Sequence, residues 1–243
     1  ETVDQALSDD ALRVLQDQGF TKGLSQALGV NKRAFPLSIW VVDNSGSMAQ
    51  TDGHRIVSHK NGTTKFVTCS RWAEMRQTVD YHSQMAAMLR SPTYFRLLND
   101  PGRVAGPQTF NIADKEDGMI DQDLAVAQTV MMNAQPIGVT PLAQHIHEIR
   151  VNIQGIQSQL QGAKIAIVLA TDGLPTDQRG ESSSVVRSQF VNALRSLEGL
   201  PVWIVVRLCT DEEDVVEFWN NLDSQLELSL EVLDDFCAEA KEI

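Results

Sequence analysis

The sequence has few cysteines for its length. Cys69, Cys209 and Cys237 are the only cysteines among 243 residues, they lie far apart, and no two of them have the spacing Cys-x-x-Cys. An odd number of distant cysteines predicts neither a disulfide framework nor a zinc knot. It favours a reducing, intracellular compartment such as the cytoplasm and leaves an extracellular location open.

Positive charge is also scarce. Lys and Arg total 20 against 32 Asp and Glu, which gives a formal net charge of -12. Because nucleic acids and anionic membrane surfaces attract clustered Lys and Arg, this composition argues against both as partners. The chain also has no run of 18 or more apolar residues, so no segment is predicted to span a bilayer.

No Pro/Gly/Ser-rich linker and no block of charge divides the chain, which predicts a single domain over residues 1–243. Ser8 is placed to cap a first helix, so residues 1–34 are predicted to form a helical extension. A last helix is predicted near Asp235. The chain starts with Glu1 rather than Met, which indicates a processed or truncated chain from which any signal peptide would already be missing.

Two apolar runs predict buried central strands. The run 37–42 is apolar on both alternating faces and stops at Asp43, and the run 164–170 stops at Thr171-Asp172. Strands apolar on both faces are typical of parallel sheets covered by helices. Since such strands alternate with helical patterns along the chain, the sequence predicts an α/β fold: a doubly wound, Rossmann-like, mostly parallel sheet with helices on both faces.

Oxygen-bearing side chains follow these strands. Asp43, Ser45 and Ser47 come directly after the first central strand, Asp172 follows the second, and Thr140 precedes a helix that starts at a proline. Taken alone, the first three residues favour a turn whose side chains bond to nearby backbone. Three separated segments with oxygen donors instead favour a site at the carboxyl edge of the sheet, where open α/β sheets bind ligands.

This pattern resembles that of the von Willebrand factor A (vWA) domain and its metal-ion-dependent adhesion site, which reads Asp-x-Ser-x-Ser, then Thr, then Thr-Asp-Gly. The resemblance covers most of the chain. It implies that Ser45, Ser47 and Thr140 face a divalent cation, and that Asp43 and Asp172 hold the cation directly or through water. It also implies strand order 3-2-1-4-5-6 and one coordination position left open for a carboxylate of the partner.

The chemistry of the five groups agrees with that resemblance. Hydroxyls and carboxylates suit Mg²⁺ or Mn²⁺, and Ca²⁺ also takes oxygen ligands. Because three of the five groups are uncharged, the cation would keep much of its positive field and could attract an anion. The resemblance therefore implies a metal-binding module for protein–protein interaction or adhesion, which binds an Asp or Glu of its partner. It does not indicate an oligomeric state.

Two enzyme classes and a scaffold role are the alternatives. A Mg²⁺-dependent phosphoryl hydrolase of the haloacid-dehalogenase type also places an Asp after its first central strand, but it needs a second Asp where this chain has Ser45. A serine hydrolase needs a Gly-x-Ser-x-Gly elbow, which Asn44-Ser45-Gly46 does not provide. A degenerate domain used only as a scaffold is disfavoured by the complete set of donors. We therefore predict no hydrolytic turnover.

A β-hairpin is predicted over residues 53–68. Asn61-Gly62 between two β-rich runs is a strong signal for a two-residue type I′ turn, and that turn places Val57 opposite Phe66. Because the vWA family normally runs from its metal loop straight to a helix, the hairpin is interpreted as an insertion. Its proximity to the metal loop suggests a role in selecting partners.

The next helix is predicted from Arg71 to Leu89. Its apolar residues recur at a spacing of three or four, and His82 falls on the same stripe. His82 is interpreted as a histidine at the edge of the core and not as a metal ligand.

Overall fold

A computed structural model describes residues 7–58, 64–115, 117–223 and 225–233. The helices are α1 (Asp9–Asp17), α2 (Lys22–Ala34), α3 (Arg71–Leu89), α4 (Ile120–Asn133), α5 (Leu142–Ile156), α6 (Ser184–Arg195) and α7 (Glu213–Asp223). The strands are β1 (Leu37–Val42), β2 (Gly53–Ser58), β3 (Thr64–Cys69), β4 (Thr93–Leu97), β5 (Thr109–Ile112), β6 (Ile165–Thr171), β7 (Val202–Leu208) and β8 (Leu230–Leu233). The helix predicted near Asp235 lies outside the described residues.

The main sheet has the order β5-β4-β1-β6-β7-β8. When the hairpin strands β2 and β3 are left out, this is the predicted order 3-2-1-4-5-6, which confirms the fold class. All pairings are parallel except that of β5, which runs antiparallel to β4. The loop between β4 and β5 contains no helix, and a parallel return would need a longer crossover.

The central strands are apolar on both faces because both faces are buried. Val41 of β1 packs in a core with α5, α6 and α7, whereas Trp40 and Val42 pack on the opposite face with α3 and α4. In β6, Ile167 belongs to the first of these cores and Ala170 to the second. Helices therefore cover the sheet on both sides, as predicted, and the polar residues are displaced to its edges.

The two central strands end together. Val42 of β1 pairs with Ala170 of β6, and the backbone N–H of Asp43 donates to the carbonyl of Ala170 at 2.8 Å. Strands β4 and β5 lie on one side of β1, and strands β6, β7 and β8 lie on its other side. The ends of β1 and β6 therefore lie where the strand order reverses, the position at which doubly wound sheets bind ligands.

The N-terminal extension is helical, and it contains a helix that the sequence did not predict. Ser8 caps α1 as predicted, its hydroxyl accepting from the N–H of Ala11 at 3.2 Å. The second helix, α2, begins after Thr21, whose hydroxyl accepts from the N–H of Leu24. Of the residues of this helix only Ser25 is fully buried, and Leu24 and Val30 remain exposed.

The predicted hairpin forms, but the predicted register is wrong by one residue. Ile56, and not Val57, pairs with Phe66, and Val57 pairs with Lys65. This register requires an odd number of connecting residues, whereas a two-residue turn at Asn61-Gly62 requires an even number. The connection itself, residues 59–63, lies outside the described residues.

The hairpin rests on α3 mainly through polar contacts. The N–H of His54 donates to Glu74 Oε2 at 2.8 Å, and Gln77 Nε2 donates to the carbonyl of Ile56 at 3.0 Å. At Gly53 the strand approaches the start of α3 so closely that an added Cβ would lie 2.9 Å from the Arg71 backbone. The Phe66 side chain is 57% exposed.

Helix α3 has the predicted bounds, and His82 lies at the edge of the core. Its ring packs against Trp40, with 4.5 Å between the ring centroids. Burial, together with the charge of Arg207, lowers the pKa of His82 to about 4. His82 is thus neutral at pH 7. No helix within the described residues is long and apolar enough to cross a membrane.

Candidate metal centre

Four of the five predicted metal-site residues line one cavity of about 360 Å³. Ser45, Ser47, Thr140 and Asp172 surround this cavity, and Asp43 lies wholly buried beside it. The Ser45 and Ser47 hydroxyl oxygens are 3.0 Å apart, and the Ser47 hydroxyl donates to Asp172 Oδ1 at 2.9 Å. The structure thus brings together, at the strand-order reversal, residues that are up to 129 positions apart in the chain (172 minus 43).

Asp43 is held by hydrogen bonds to both of its carboxylate oxygens. Oδ1 accepts from the N–H of Ser45 at 2.8 Å, and Oδ2 accepts from the hydroxyl of Thr171 at 2.6 Å. Burial and the nearby charge of Asp172 nevertheless raise the pKa of Asp43 to about 6. The hydrogen bonds to Asp43 lower its pKa, but they do not cancel the opposite effects of burial and of the Asp172 charge.

Asp172 is the second buried carboxylate. Its Oδ1 accepts from Ser47, and its Oδ2 accepts from Arg71 Nη1 at 3.0 Å. Burial raises the pKa of Asp172, although the hydrogen bonds from Arg71 and Ser47 oppose that rise. Both carboxylate oxygens of Asp172 therefore accept a hydrogen bond from another side chain of the site.

Neighbouring loops fix the positions of the predicted residues. The backbone N–H of Gly46 donates to the carbonyl of Gly138 at 3.1 Å, and the N–H of Ile137 donates to the carbonyl of Asn44 at 2.7 Å. These bonds hold the loop after β1 against the segment that leads to Thr140. Gly138 itself has a φ of +92°, a conformation that side chains with a Cβ rarely adopt.

The backbone of Thr140 is hydrogen-bonded to Thr176, a residue that the sequence analysis did not single out. Its backbone N–H donates to the hydroxyl of Thr176 at 2.8 Å, and the N–H of Thr176 donates back to the carbonyl of Thr140 at 2.9 Å. This reciprocal pair fixes the Thr140 backbone against the loop that follows β6. No local pattern around Thr176 distinguishes it from an ordinary loop threonine.

Sequence reasoning also missed the role of Arg71 at this site. Its side chain is only 1% exposed, and its guanidinium reaches three carboxylates. Nε and Nη2 donate to the two oxygens of Asp52 at 2.8 and 2.6 Å, Nη2 also donates to Glu212 Oε1 at 2.8 Å, and Nη1 donates to Asp172. Although burial favours the neutral form, these bonds raise the pKa of Arg71 above its ordinary value. We call Arg71, Asp52, Asp172 and Glu212 the arginine cluster.

One feature of the sequence could have drawn attention to Arg71. It is the first residue of α3, directly after the N-cap Ser70, whose hydroxyl accepts from the N–H of Ala73. A positive side chain at this end of a helix is disfavoured by the helix dipole. Such a residue needs compensating negative charge, but its partners cannot be read from the surrounding sequence.

The oxygen atoms that line the cavity are of the types that bind a hard divalent cation. The cavity presents hydroxyls together with the Asp172 carboxylate, the oxygen types that Mg²⁺ and Mn²⁺ accept. Burial and the neighbouring charge of Asp172 raise the pKa of Asp43, and a cation bound here would favour its charged form. No group of three or more His, Cys, Asp or Glu suited to a metal occurs in the part of the chain that the structure describes, so a cation here would depend on hydroxyl oxygens.

The ionisable groups that line the cavity are Arg71 and two carboxylates, Asp172 and Glu212. Among the described residues that line it, none is a histidine, cysteine or lysine. His145, which lies in α5, is buried elsewhere, with Nε2 at 3.0 Å from the carbonyl oxygen of Leu98. Asp43 has no exposed surface from which to attack a substrate.

The sequence matches no protein-family model and no curated protein. Its fold is similar to that of the D319A mutant of the PilB minor pilin from Streptococcus sanguinis, with a TM-score of 0.54 at 16% identity over 84% of this chain and 58% of that chain. The unmutated PilB minor pilin gives a TM-score of 0.51 at 15% identity, over 82% of this chain and 56% of that one. Manganese-loaded TRAP protein from Plasmodium vivax gives 0.49 at 14% identity, over 86% and 72% of the two chains.

The chain thus spans less than two thirds of the PilB minor pilin. At these identities the likeness to PilB establishes a shared α/β fold and nothing about ligands. The strand order of the sheet is also the order that the resemblance to the vWA domain implies.

Proposed function

We propose that this domain is a protein-binding module that captures an acidic side chain of its partner through a divalent cation, Mg²⁺ or Mn²⁺. The observation that supports this proposal is the cavity at the strand-order reversal, which Ser45, Ser47, Thr140 and Asp172 line together. When bound, the cation would supply an electrophilic coordination position for an incoming carboxylate.

The proposed site residues would contribute to cation binding in different ways. The three hydroxyls offer neutral oxygens at the cavity wall, and Asp172 offers one negative charge there. Asp43 lies behind Ser45 and fixes its backbone through the 2.8 Å bond to its N–H. Asp43 therefore contributes negative potential and positions the Ser45 loop.

The same geometry disfavours the phosphoryl hydrolase. A nucleophilic aspartate must reach its substrate, and Asp43 is completely buried with both oxygens hydrogen-bonded. Ser45 occupies the position of the acid or base that this chemistry needs. We therefore infer binding without turnover, and a screen of phosphoesters in the presence of Mg²⁺ would overturn this inference if turnover were lost in Asp43→Asn.

Calorimetry on the metal-stripped protein tests the cation site. Titration with MgCl₂ or MnCl₂ should give binding heat in the wild type, and Thr140→Val and Ser47→Ala should each weaken binding by about tenfold or more, because each loses an oxygen donor. Ser182→Ala is the matched control, since Ser182 lines the same cavity but is not among the proposed ligands. Equal weakening in the control, or no heat in the wild type, would contradict the assignment.

A second measurement tests the role of the partner's carboxylate. Proteins captured by the immobilised domain in Mg²⁺ should elute with EDTA, and Thr140→Val should not retain them. Blocking the carboxyl groups of a captured partner by amidation should abolish its binding. Capture that persists in EDTA would show that the partner uses another surface.

A further inference from the structure

Arg71 places a permanent positive charge beside the proposed cation cavity. Its guanidinium is among the groups that line that cavity, and its Nη1 donates to Asp172 Oδ2 at 3.0 Å. The other oxygen of the same carboxylate accepts from Ser47. The carboxylate that the cation would use is thus already paired with a cation from the protein itself.

The remaining donors of Arg71 bind two further carboxylates, of which Glu212 lines the cavity and Asp52 does not. Asp52 takes Nε and Nη2, and Glu212 shares Nη2. These two carboxylates are about half exposed, at 46% and 53%, whereas the Arg71 and Asp172 side chains are at most 1% exposed. The buried part of the arginine cluster is therefore the pair of Arg71 and Asp172. The exposed part, Asp52 and Glu212, supplies further negative charge that compensates the charge of Arg71.

We propose that Arg71 is an internal competitor of the divalent cation, a specificity-determining and positioning residue that lowers the cation affinity of this site. The proposal rests on the proposed function, because it concerns the same cavity. Arg71 engages Asp172 Oδ2 and repels a second positive charge, and like charges interact more strongly where the charged side chains are buried, as Arg71 is. Asp52 and Glu212 counteract it by partly neutralising the guanidinium.

A purely structural role for Arg71 predicts something different. If the arginine cluster only held the cavity in shape, any replacement of Arg71 would loosen the cavity and weaken cation binding. Under our proposal, a neutral replacement strengthens cation binding even though it removes the same hydrogen bonds. The two roles therefore differ in the sign of one measurable change.

Arg71→Met and Arg71→Lys form the matched pair for this test. Both lose the planar guanidinium with its paired donors, but only Lys keeps the positive charge. Titration of the full metal-stripped chain with MgCl₂ should show that Arg71→Met binds about tenfold or more tightly than Arg71→Lys and than the wild type. Equal or weaker binding by Arg71→Met than by Arg71→Lys would overturn the proposal.

Asp52→Asn provides a second test if Arg71→Met does not fold. Asp52 is about half exposed and is not among the residues that line the cavity, so its neutral replacement should leave the fold and the cavity lining intact. Because this change leaves more of the Arg71 charge uncompensated, Mg²⁺ binding should weaken by about threefold or more. Unchanged Mg²⁺ affinity in Asp52→Asn would contradict the proposal.

The outcomes separate this proposal from the proposed function. Absence of binding heat in the wild type and in every variant would overturn both. Heat in the wild type with no gain in Arg71→Met would overturn the role of Arg71 alone. Thermal unfolding with and without Mg²⁺ gives an independent readout, since a tighter site must show a larger rise in Tm at the same Mg²⁺ concentration.

Discussion

The side-chain amide of Asn44 pairs with the backbone of Asn99. Asn44 Nδ2 donates to the Asn99 carbonyl at 3.0 Å, and Asn44 Oδ1 accepts from the Asn99 N–H at 2.8 Å. Asn44 is the unspecified second position of the Asp-x-Ser-x-Ser pattern, and it is completely buried. This pair joins the loop after β1 to the loop after β4, so Asn44 supports the cavity without lining it.

We expect Asn44→Ala to lower the free energy of unfolding by about 2–3 kcal/mol, because it leaves a donor and an acceptor of Asn99 without their partners. Urea denaturation measures the change. The control is Asn31→Ala in α2, where the side chain is exposed and the change should stay within about 0.5 kcal/mol. Equal effects of the two substitutions would show that the pair contributes nothing specific.

Gly138→Ala should damage both the fold and the cavity. The φ of Gly138 is +92°, and an added Cβ would lie 2.4 Å from Asn99 Oδ1 and 2.6 Å from its Cγ. We expect a loss of about 2 kcal/mol or more in stability, since the loop must move before the methyl group fits. Mg²⁺ binding should weaken as well, because Thr140 follows two residues later.

Gly173→Ala is the matched control for that prediction. Gly173 follows Asp172, yet an added Cβ meets nothing within 4 Å and its φ is not in the left-handed region. Differential scanning calorimetry should therefore find Gly173→Ala within about 1 kcal/mol of the wild type. A larger loss at Gly173 than at Gly138 would contradict the placement of the two loops.

His82 should make the domain less stable in acid. In the unfolded chain a histidine has a pKa near 6.5, whereas burial lowers the pKa of His82 to about 4 in the folded protein. Between these values the unfolded state binds more protons, so the stabilisation is complete above about pH 6.5 and is lost as the pH falls towards 4.

His82→Phe isolates this effect, because it keeps a ring against Trp40 and removes the titration. Relative to the wild type, the variant should gain about 2–3 kcal/mol in unfolding free energy between pH 7.5 and pH 4.5. The comparison cancels contributions of other groups that titrate identically in both proteins. Parallel pH profiles of the two proteins would refute the prediction.

Replacing residues 53–67 with a short Gly-Ser loop should leave cation binding almost unchanged. The cut keeps Asp52, the hairpin-side partner of Arg71, and every proposed metal-site residue. If the hairpin selects partners, as its position predicts, the binding of captured proteins should weaken by at least about tenfold, or 1.4 kcal/mol. Equal binding by the shortened protein would assign partner selection to the other loops of the cavity.

Much of the fold could be predicted from local sequence. Helix α3 has the predicted bounds because its apolar residues are periodic and a capping Ser70 precedes it. The central strands could be recognised because both faces are buried, which leaves uninterrupted apolar runs. Helix α2 was not predicted as a separate helix, and its apolar residues Leu24 and Val30 do not mark a buried face, since they are exposed.

The candidate site could be predicted only in part. Asp43, Ser45 and Ser47 stand close together in sequence, and a buried strand places them at the edge of the sheet. The role of Arg71 could not be predicted, because its partners are fixed by tertiary packing and not by spacing. The hairpin register depended in the same way on the geometry of a connection that two turn residues alone do not determine.

The arginine cluster also has a consequence for the kinetics of folding. Arg71 lies 19 residues from Asp52, 101 from Asp172 and 141 from Glu212 along the chain. The contacts with Asp172 and Glu212 carry a large loop-closure cost before they give any stabilisation. Both carboxylates lie beyond β6, so we expect the cluster to be completed late, once β1 and β6, themselves 128 residues apart (165 minus 37), have paired. Interactions absent from the transition state slow unfolding and leave the folding rate almost unchanged. The cluster therefore acts on the lifetime of the native domain, not on the speed with which the chain reaches it.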